Sequence, residues 1–337
     1  MAQEKPVPGT GGDVYAPPEE RTGEPSTVYF TRDLSAEGLR KVYRAVSGPV
    51  RGRVAVKLHT GEKDGPNIIP REWVAELFAN ELAADDLEPS IVETNTYYQG
   101  DRYTTEQHRE TIAHNGWTFA PVDILDEDGT VSWPVEGGKW RDDISMGSHL
   151  AEYDSLVALT HFKGHTQGGF GGSNKNLGIG CADGRVGKAQ IHTTPGQDNQ
   201  WDIAAEEFME RMTESTKATC DHFAGAITFV NVMRNMSVSC DCEGTAAMPV
   251  VTPNVGILAS EDVCALDQAC VDLVYAMKPE DNHDLVERIE TRHGLRQLSY
   301  MEELGMGSRV YTLVDLDNEG EPVSCADAVA HVVPFQG

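Results

Sequence analysis

The sequence contains 337 residues, of which 54 are acidic and 27 are basic, so the formal net charge is −27 at pH 7. This balance argues against non-specific binding to nucleic acid or to an anionic membrane, because both require a cationic protein face. The length and a hydrophobic fraction of 39% allow a sizeable core. No stretch of the sequence approaches the roughly 18 consecutive apolar residues of a membrane span.

Residues 1–25 differ in composition from the rest of the chain, with five prolines and four glycines among charged residues. This composition predicts a disordered or loosely attached N-terminal tail, and residues 26–337 are predicted to form a single α/β domain. The tail holds no apolar stretch of signal-peptide length, and the seven cysteines do not resemble a secreted disulfide framework. We therefore expect a cytoplasmic protein with reduced thiols.

From Thr27 onward, short β-branched runs alternate with longer segments of helical periodicity. In chain order, the predicted strands are Val28–Thr31, Arg53–His59, Ser90–Asn95, Pro121–Leu125, Leu156–Phe162, Ile227–Met233 and Val255–Ser260. The predicted helices are Ala36–Val46, Pro70–Ala84, Thr104–Asn115, Trp201–Phe223, Glu261–Met277, Leu285–His293 and Ser299–Leu304. The charged, glycine-rich segment Glu127–Asp143 is expected to form an excursion or hairpin over the sheet edge. The alternation predicts an α/β fold, with a mainly parallel sheet and helices on both faces; a second lobe is an alternative, although no clear linker separates one.

Polar side chains that could hold a ligand stand at or just after the predicted carboxyl ends of several strands. These residues are Lys57, His59, Glu93, Asn95, His161, Lys163 and Asn231. In parallel α/β sheets, ligands bind beyond the carboxyl ends of the strands. We therefore expect most of these residues to line one cleft.

The segment from His161 to His192 concentrates chemically active side chains, since it holds three of the eleven histidines, three lysines and nine of the 33 glycines. If the preceding strand continues, His161, Lys163 and His165 project to one face and are candidate catalytic residues. The loop that follows is predicted to cradle an anion or a cofactor with its N–H groups, at Gly168, Gly169, Gly171 and Gly172. Lys175, a further candidate catalytic residue, and Asn176, which with Lys57 is a candidate cofactor-binding residue, come next, followed by Lys188 and His192.

Two nucleotide-binding motifs are excluded in this segment. The stretch GRVGKAQ lacks the upstream glycine and the Ser/Thr of a Walker A motif, and no convincing helix opens after GGFGGS as a dinucleotide fingerprint requires. A structural turn with solvated lysines is the alternative interpretation of the glycines.

Two thiols stand two residues apart in Cys240-Asp241-Cys242, after the predicted strand that ends at Met233. A Cys-x-Cys pair offers two thiolates from one turn, so Cys240 and Cys242 are candidate metal ligands, together with His59 and His192. Buried or reactive thiols are the alternative. The histidines expected at the surface are His108, His114, His283 and His293.

Several motifs resemble those of one family: VKLHTGEKDGPN, VETNTYYQGDRYTTEQH, GSHLAEYDSLVALTHFKGH, GGFGGSNKNLGIG, GKAQIH, NVMRNMSVSCDC, GILASEDVCALDQACVDL and RIETRHGL. On these motifs, the chain from about Val28 to Val314 is identified as a member of the family called domain of unknown function 362, whose members are often described as Fe–S centre proteins. This resemblance implies no established reaction. The chain lacks the ferredoxin-like module of some members, so a cluster would depend on Cys240, Cys242 and further partners.

A second, local resemblance concerns chemistry. The stretch from His165 through GGFGGSNK to His192 is similar to the nickel-pincer lactate racemase family, in which a histidine, a Gly-Phe-x-Gly-Gly loop, a lysine and a later histidine occur in this order. The resemblance implies an acid/base role for His165, a cofactor-anchoring role for Lys175 and a metal-ligating role for His192.

Together these patterns favour a metal- or Fe–S-dependent enzyme that acts on a small anionic organic molecule. Its carboxylate or phosphate would be held by Lys57, Lys163 and Lys175. Metal ligation and proton transfer would be divided among His161, His165 and His192. The alternatives are a nickel-cofactor racemase or epimerase of a hydroxy acid, and a non-catalytic Fe–S or electron-transfer protein. A redox partner or a homo-oligomer is compatible with each of these functions.

Overall fold

The computed structural model of the chain describes residues 12–194, 199 and 202–336. Within these residues, the strands are β1 (Ser26–Thr31), β2 (Gly52–Lys57), β3 (Leu87–Glu93), β4 (Val122–Ile124), β5 (Thr130–Pro134), β6 (Asp143–Gly147), β7 (Ser155–His161), β8 (Lys163–His165), β9 (Gly169–Gly171), β10 (Ile227–Met233), β11 (Gly256–Ser260), β12 (Tyr311–Asp315) and β13 (Glu321–Pro322). The α-helices are α1 (Ala36–Val46), α2 (Arg71–Asn80), α3 (Thr105–His114), α4 (Ser173–Gly180), α5 (Val186–His192), α6 (Ala205–Phe223), α7 (Val263–Ala276), α8 (Pro279–Thr291), α9 (Arg296–Glu303) and α10 (Cys325–Ala328). None of these helices is both long enough and apolar enough to cross a membrane.

Nine strands form one sheet in the order β13-β12-β1-β11-β10-β7-β2-β3-β4. Every neighbouring pair from β10 to β4 is parallel, and β1 is parallel to β12. Strand β11 runs antiparallel to both of its neighbours, and β13 runs antiparallel to β12. Strands β5 and β6 form a separate antiparallel hairpin in the region where an excursion is predicted. The prediction of an α/β fold with a mainly parallel sheet is confirmed.

Side chains of the central strands alternate between two hydrophobic cores, one on each face of the sheet. In β7, Leu156 and Ala158 belong to the core that contains residues of α6 and α7. The intervening Val157 and Leu159 belong to the core that contains residues of α1 and α2. Successive residues of a strand point to opposite faces, so β7 is buried along its whole length and carries an almost continuous apolar run.

The parallel register brings the carboxyl ends of β2 and β3 to the same edge of the sheet. Lys57, the last residue of β2, pairs with Val92 of β3, which precedes Glu93. On the other side Lys57 pairs with Ala158 of β7. The predicted meeting of polar residues at this edge is therefore found for Lys57 and Glu93.

The chain after β7 departs from the sequence prediction. Strand β7 ends at His161, and Lys163–His165 forms β8, which pairs with β9 in a small hairpin outside the main sheet. The glycines of this region therefore form a strand and its turn, and not an open loop. The condition under which His161, Lys163 and His165 would share one strand face is not met, because the chain leaves the sheet at Phe162.

Helix α4 begins directly after the glycines, where the sequence predicts no helix. Its N-cap residue, Gly172, has no side chain that could accept a hydrogen bond. The carboxylate of Asp267 in α7 takes this role, since it accepts the N–H of Ser173 at 2.8 Å and the N–H of Asn174 at 2.9 Å. The capping group thus lies far along the chain, which is why no local N-cap signal exists.

Part of the segment predicted to be a tail lies against the domain. Tyr15 stacks on Tyr275 with ring centroids 3.8 Å apart, and Arg21 donates two hydrogen bonds to the carboxylate of Asp272. Residues 1–11 lie outside the described residues. The division of the chain into a tail and one domain at residue 26 stays a prediction, although residues 15–21 are attached by these contacts.

We expect Asp267→Ala to destabilise the fold strongly. The carboxylate is fully buried and also accepts the side-chain N–H of Asn231 at 2.7 Å, so its removal leaves three buried donors unpaired. Each unpaired donor costs roughly 1–3 kcal/mol, so the free energy of unfolding should fall by about 3 kcal/mol or more in urea titration. The exposed Asp85 provides the control, and a similar loss in Asp85→Ala would contradict the capping role.

The same carboxyl group should also make stability depend on pH. Burial raises the pKa of Asp267 to about 6, against the effect of its N–H donors, from an ordinary value of 3.8. The folded state therefore binds this proton more tightly than the unfolded chain, and its contribution to stability falls as pH rises from the lower value to the higher one. Urea titrations across this interval should show the decline in the wild type and its absence in Asp267→Asn.

Candidate functional site

A cavity of about 940 Å³ opens at the edge where β2 and β3 end. Among the described residues, its wall carries five cationic side chains: Lys57, Arg102, Lys175, Lys188 and Arg292. Three carboxylates lie on the same wall: Glu93, Asp202 and Glu243. The lining is thus cationic in a chain whose net charge is −27, which favours an anionic ligand.

The floor of the cavity is a buried ion pair between two neighbouring strands. The Nζ of Lys57 lies 2.8 Å from Oε2 of Glu93 and also donates to Oδ1 of Asn176 at 3.2 Å. The other oxygen of Glu93 accepts the N–H of Thr60 at 2.9 Å. Burial alone would raise the pKa of Glu93, but the charge of Lys57 and of other neighbours lowers it well below the usual range. Glu93 is therefore an anion that neutralises Lys57.

The two thiols of the Cys-x-Cys sequence lie beside an amine. Residues Asp241–Ala246 form a short 3-10 helix after β10, with Cys240 as its N-cap. The Sγ of Cys240 accepts the N–H of Cys242 at 3.5 Å, and the Nζ of Lys175 lies 3.4 Å from it. Lys175 belongs to α4, so the capping of that helix by Asp267 also positions this amine.

The protonation of the thiols is unequal. A hydrogen bond from Cys242 and the charge of Lys175 lower the pKa of Cys240 to about 5, although burial opposes this. The same hydrogen bond and burial raise the pKa of Cys242 well above its usual value. At neutral pH the pair holds one thiolate and one thiol. Burial opposes the charge of Lys175, but the neighbouring sulfurs raise its pKa, so it is an ammonium.

His165 completes a compact group of candidate metal ligands. One atom each of His165, Cys240 and Cys242 lies within 4.8 Å of the others. However, the Nδ1 of His165 accepts the N–H of Gly168 at 2.8 Å. Its lone pair is thereby used and the ring hydrogen of the neutral imidazole resides on Nε2. Burial and the charge of Lys175 lower the pKa of His165 well below its usual value, so the ring is neutral.

His59 repeats this arrangement on another wall of the cavity. Its Nδ1 accepts the N–H of Gly61 at 2.9 Å, which again leaves the hydrogen on Nε2. Burial and the charge of Arg102 lower the pKa of His59 well below its usual value. His59 was predicted as a metal ligand, but among the described residues it lies outside the group of His165 and the two cysteines.

His192 also lines the cavity but lies outside that group. Its ring is parallel to Tyr97 at 6.2 Å between centroids and lies 5.0 Å from the ring of Phe208. Burial and the charges of Lys188 and Lys175 lower the pKa of His192 to about 3. The structure therefore places a neutral ring there, among aromatic side chains and away from the thiols.

His161 and Lys163, both predicted as catalytic, lie behind the cavity wall. The Nδ1 of His161 lies 2.9 Å from Oδ2 of Asp241, and its Nε2 lies 2.6 Å from the carbonyl oxygen of Arg234. The Nζ of Lys163 lies 3.1 Å from the same carboxylate. The two residues are therefore positioning residues for Asp241, between the two cysteines. Sequence reasoning singled out the thiols and missed this carboxylate.

The four glycines predicted to bind a cofactor do not line the cavity in the part of the chain that is described. Gly169 has φ +80°, and a Cβ there would lie 2.8 Å from Cα of Gly294. A Cβ on Gly172 would lie 2.4 Å from the carboxylate of Asp267. A Cβ on Gly168 would lie 3.3 Å from Nδ1 of His165, and one on Gly171 would lie 3.5 Å from Cε of Lys163. These glycines permit close packing, and Asp267 occupies the N–H groups of Ser173 and Asn174 that follow them. The anion cradle at the glycines stays a prediction.

Three further residues that the sequence singled out are buried: Asn176, Lys188 and His108. Asn176 lines the cavity, but its amide is engaged by Lys57 and by Oγ1 of Thr160. Lys188 donates to Oγ1 of Thr94 and to two carbonyl oxygens, and burial lowers its pKa to about 8. His108, expected at the surface, is completely buried, and burial lowers its pKa to about 3.

Comparison with known proteins gives one family. The family described as "Domain of unknown function (DUF362)" matches residues 54–272, which include both cysteines and the three histidines of the cavity. No curated protein matches the sequence.

Among solved structures, the lactate racemase apoprotein from Thermoanaerobacterium thermosaccharolyticum is 15% identical, with a TM-score of 0.36, over 68% of this chain and 55% of that chain. A protein from Thermotoga maritima is 12% identical, with a TM-score of 0.34, over 58% of this chain and 49% of that chain. The matched region thus spans about half the length of each of these proteins.

We expect Glu93→Gln to destabilise the protein, because it leaves the buried charge of Lys57 without its partner. Breaking a buried ion pair from one side costs about 3–5 kcal/mol. The pKa of Glu93 is depressed in the folded state, so the contribution is present above the unfolded value near pH 4.5 and is lost as pH falls further. Urea titration at neutral pH measures the effect. Glu88→Gln, at an exposed position of the same strand, is the control, and equal losses would contradict the assignment.

Proposed function

The chain belongs to the DUF362 family, and from this premise we propose that it is a metal-dependent enzyme acting on a small anionic organic molecule. One observation carries the proposal: two cysteines, Cys240 buried and Cys242 partly exposed, lie beside the amine of Lys175 and adjoin a cavity with a cationic lining. Soft sulfur ligands suit thiophilic transition metals, whereas the surrounding cations suit a carboxylate or phosphate.

The donor set fits a single metal ion better than a cluster. All seven cysteines lie in the described part of the chain, and only Cys240 and Cys242 join a group of candidate ligands there. An Fe–S cluster ordinarily takes four thiolates, which this group does not supply. Two sulfurs leave other coordination positions for the substrate, as in catalytic metal sites.

Cys240 and Cys242 would hold the ion, which would supply Lewis-acid polarisation of a substrate oxygen. Binding requires the thiol of Cys242 to lose its proton, and Lys175 would then offset the added negative charge. We assign His165 a role other than ligation. A metal bound to Nε2 would have to displace the hydrogen on that atom, and a metal bound to Nδ1 would break the hydrogen bond from the N–H of Gly168.

The two neutral histidines would act as hydrogen-bond donors. The rings of His165 and His59 both line the cavity and carry their hydrogen on Nε2. The pKa values of both histidines are lowered, so the rings are neutral at physiological pH. A fixed neutral imidazole can stabilise negative charge that develops on a substrate oxygen without paying for reorganisation. Lys175 would hold the anionic group of the substrate beside them.

We expect Cys240→Ser and Cys242→Ser each to lose bound metal, whereas Cys264→Ser retains it. Cys264 is as buried as Cys240 and lies outside the ligand group, so it controls for loss of a buried thiol. His165→Gln should retain the metal and lose ligand binding. Elemental analysis of protein purified anaerobically measures metal content, and unchanged metal in both cysteine variants would overturn the proposal.

The similarity to the nickel-pincer family predicts a different result, namely a covalent addition at Lys175. The ammonium of Lys175 lies against the Cys240 sulfur, and this protonated form is not the one that bonds covalently to a cofactor. We therefore expect the intact mass of native protein to equal that of the unmodified chain. An added mass located at Lys175 would favour the racemase alternative.

A further inference from the structure

Two arginines at the end of α8 carry charges that no neighbouring carboxylate neutralises at contact distance. Arg288 lies in the last turn of α8, and Arg292 follows four residues later as its C-cap. In residues 12–194, 199 and 202–336 neither guanidinium has a hydrogen bond or an ion pair, and the Nε of Arg292 is buried without a partner. Arg296 in α9, by contrast, pairs with Glu210 and Glu303.

The carboxamide of Gln167 is also unpaired. Both its Nε2 and its Oε1 are buried and lack hydrogen-bond partners in the described structure. Gln167 and Arg292 line the same cavity as His165. A buried polar group without a partner is unfavourable, and a cluster of them on one cavity wall indicates a ligand that completes their hydrogen bonds.

The position of these groups is fixed by backbone packing. Helix α8 packs on both β8 and β9, the strands on either side of Gln167. Just beyond the helix, the backbone at Gly294 closely approaches Gly169, and Gln297 donates to the carbonyl oxygen of Gly168 at 2.8 Å. The end of α8 and the turn that carries Gln167 therefore form one rigid rim of the cavity.

The helix dipole does not by itself explain this arrangement. Cations near a helix C-terminus gain some stabilisation, but exposed positions suffice for that effect. Here burial and the neighbouring charge of Arg292 lower the pKa of Arg288 more than the carboxylates of Glu243 and Glu287 raise it, so the two cations also repel each other. The dipole also gives no reason for the unpaired amide of Gln167. An anionic group bound at this rim would give Gln167, Arg288 and Arg292 the partners that they lack.

We propose that Gln167, Arg288 and Arg292 form an outer subsite for a second anionic group, so that the substrate carries one anionic group at each end. The position of the inner anionic group beside Lys175 depends on the proposed function. The outer subsite is inferred separately, from the three side chains that lack hydrogen-bond partners. Guanidinium groups bind carboxylate and phosphate oxygens in the same forked manner, so either group satisfies the subsite. The cavity volume of about 940 Å³ has room for such an elongated molecule.

Calorimetric titration of the full-length protein tests the subsite with defined probes. Butyrate carries one carboxylate, whereas succinate, glutarate and adipate carry two at increasing separation, and 2-carboxyethylphosphonate carries one carboxylate and one phosphonate. We expect the best two-ended probe to bind about tenfold or more tightly than butyrate, from the added charge-assisted hydrogen bonds. Tighter binding of the phosphonate than of every dicarboxylate identifies a phosphate-like outer group.

Arg292→Gln and Arg288→Gln should each remove most of that increment and weaken the binding of butyrate, which has no second anionic group, much less. Lys278→Gln is the matched control, since it removes one positive charge at the exposed N-cap of the same helix. Thermal melting distinguishes a loss of binding from a folding defect. Removing either of the two mutually repelling guanidinium groups should not lower the melting temperature of the free protein.

Two results would overturn the subsite: equal affinity of the wild type for butyrate and every two-ended probe, or equal weakening of both probe classes in the arginine variants. Failure of the proposed function looks different. Butyrate would then bind with unchanged affinity to Lys175→Gln, and metal content would not respond to Cys240→Ser.

Discussion

The site depends on the burial of one carboxylate, Asp241, between the two thiols. Burial acts to raise the pKa of Asp241, yet His161 and Lys163 lower it well below the usual range, so the group is held as an anion. This interaction ties the short helix after β10 to the end of β7 and the start of β8. Removing one charged group of such a buried network leaves the remaining charges uncompensated. For this reason the network holds the turn from Cys240 to Cys242 in place.

The core of the fold could be predicted from the sequence because its signals are local. The helix Ala36–Val46 and the strand Ile227–Met233 were predicted with the bounds that the structure shows. Parallel strand ends meet at one edge, so Lys57 and Glu93 could also be expected together. Helix α4 could not be predicted, because its capping carboxylate belongs to α7. Its start is decided by tertiary structure, which no window of sequence contains.

The identities of the site residues were easier to predict than their roles. His165, Lys175, Cys240 and Cys242 were singled out in separate motifs, and the structure places them side by side. Ring orientation, however, depends on which backbone N–H reaches Nδ1, and this property has no signature in composition or spacing. Because the strand is interrupted at Phe162, His161 and His165 do not share one face of a strand. His161 supports the cavity wall from behind, whereas His165 lines the cavity. The unpaired state of Gln167 likewise appears only when every neighbour is in place.

The contrast between the acidic chain and its cationic cavity affects how molecules reach the site. Far from the cavity, an anion experiences the field of a protein with a net charge of −27. Within about 8 Å of the cavity lining, which is the Debye length in physiological salt, the anion experiences mainly the nearby cations. A compact anion can pass this outer repulsion and fit wholly inside the attractive region. For a polyanion such as nucleic acid, most of the charge would stay outside this region, where the net charge of the chain opposes it. The charge distribution therefore works as a size filter, and it slows encounter most in dilute salt.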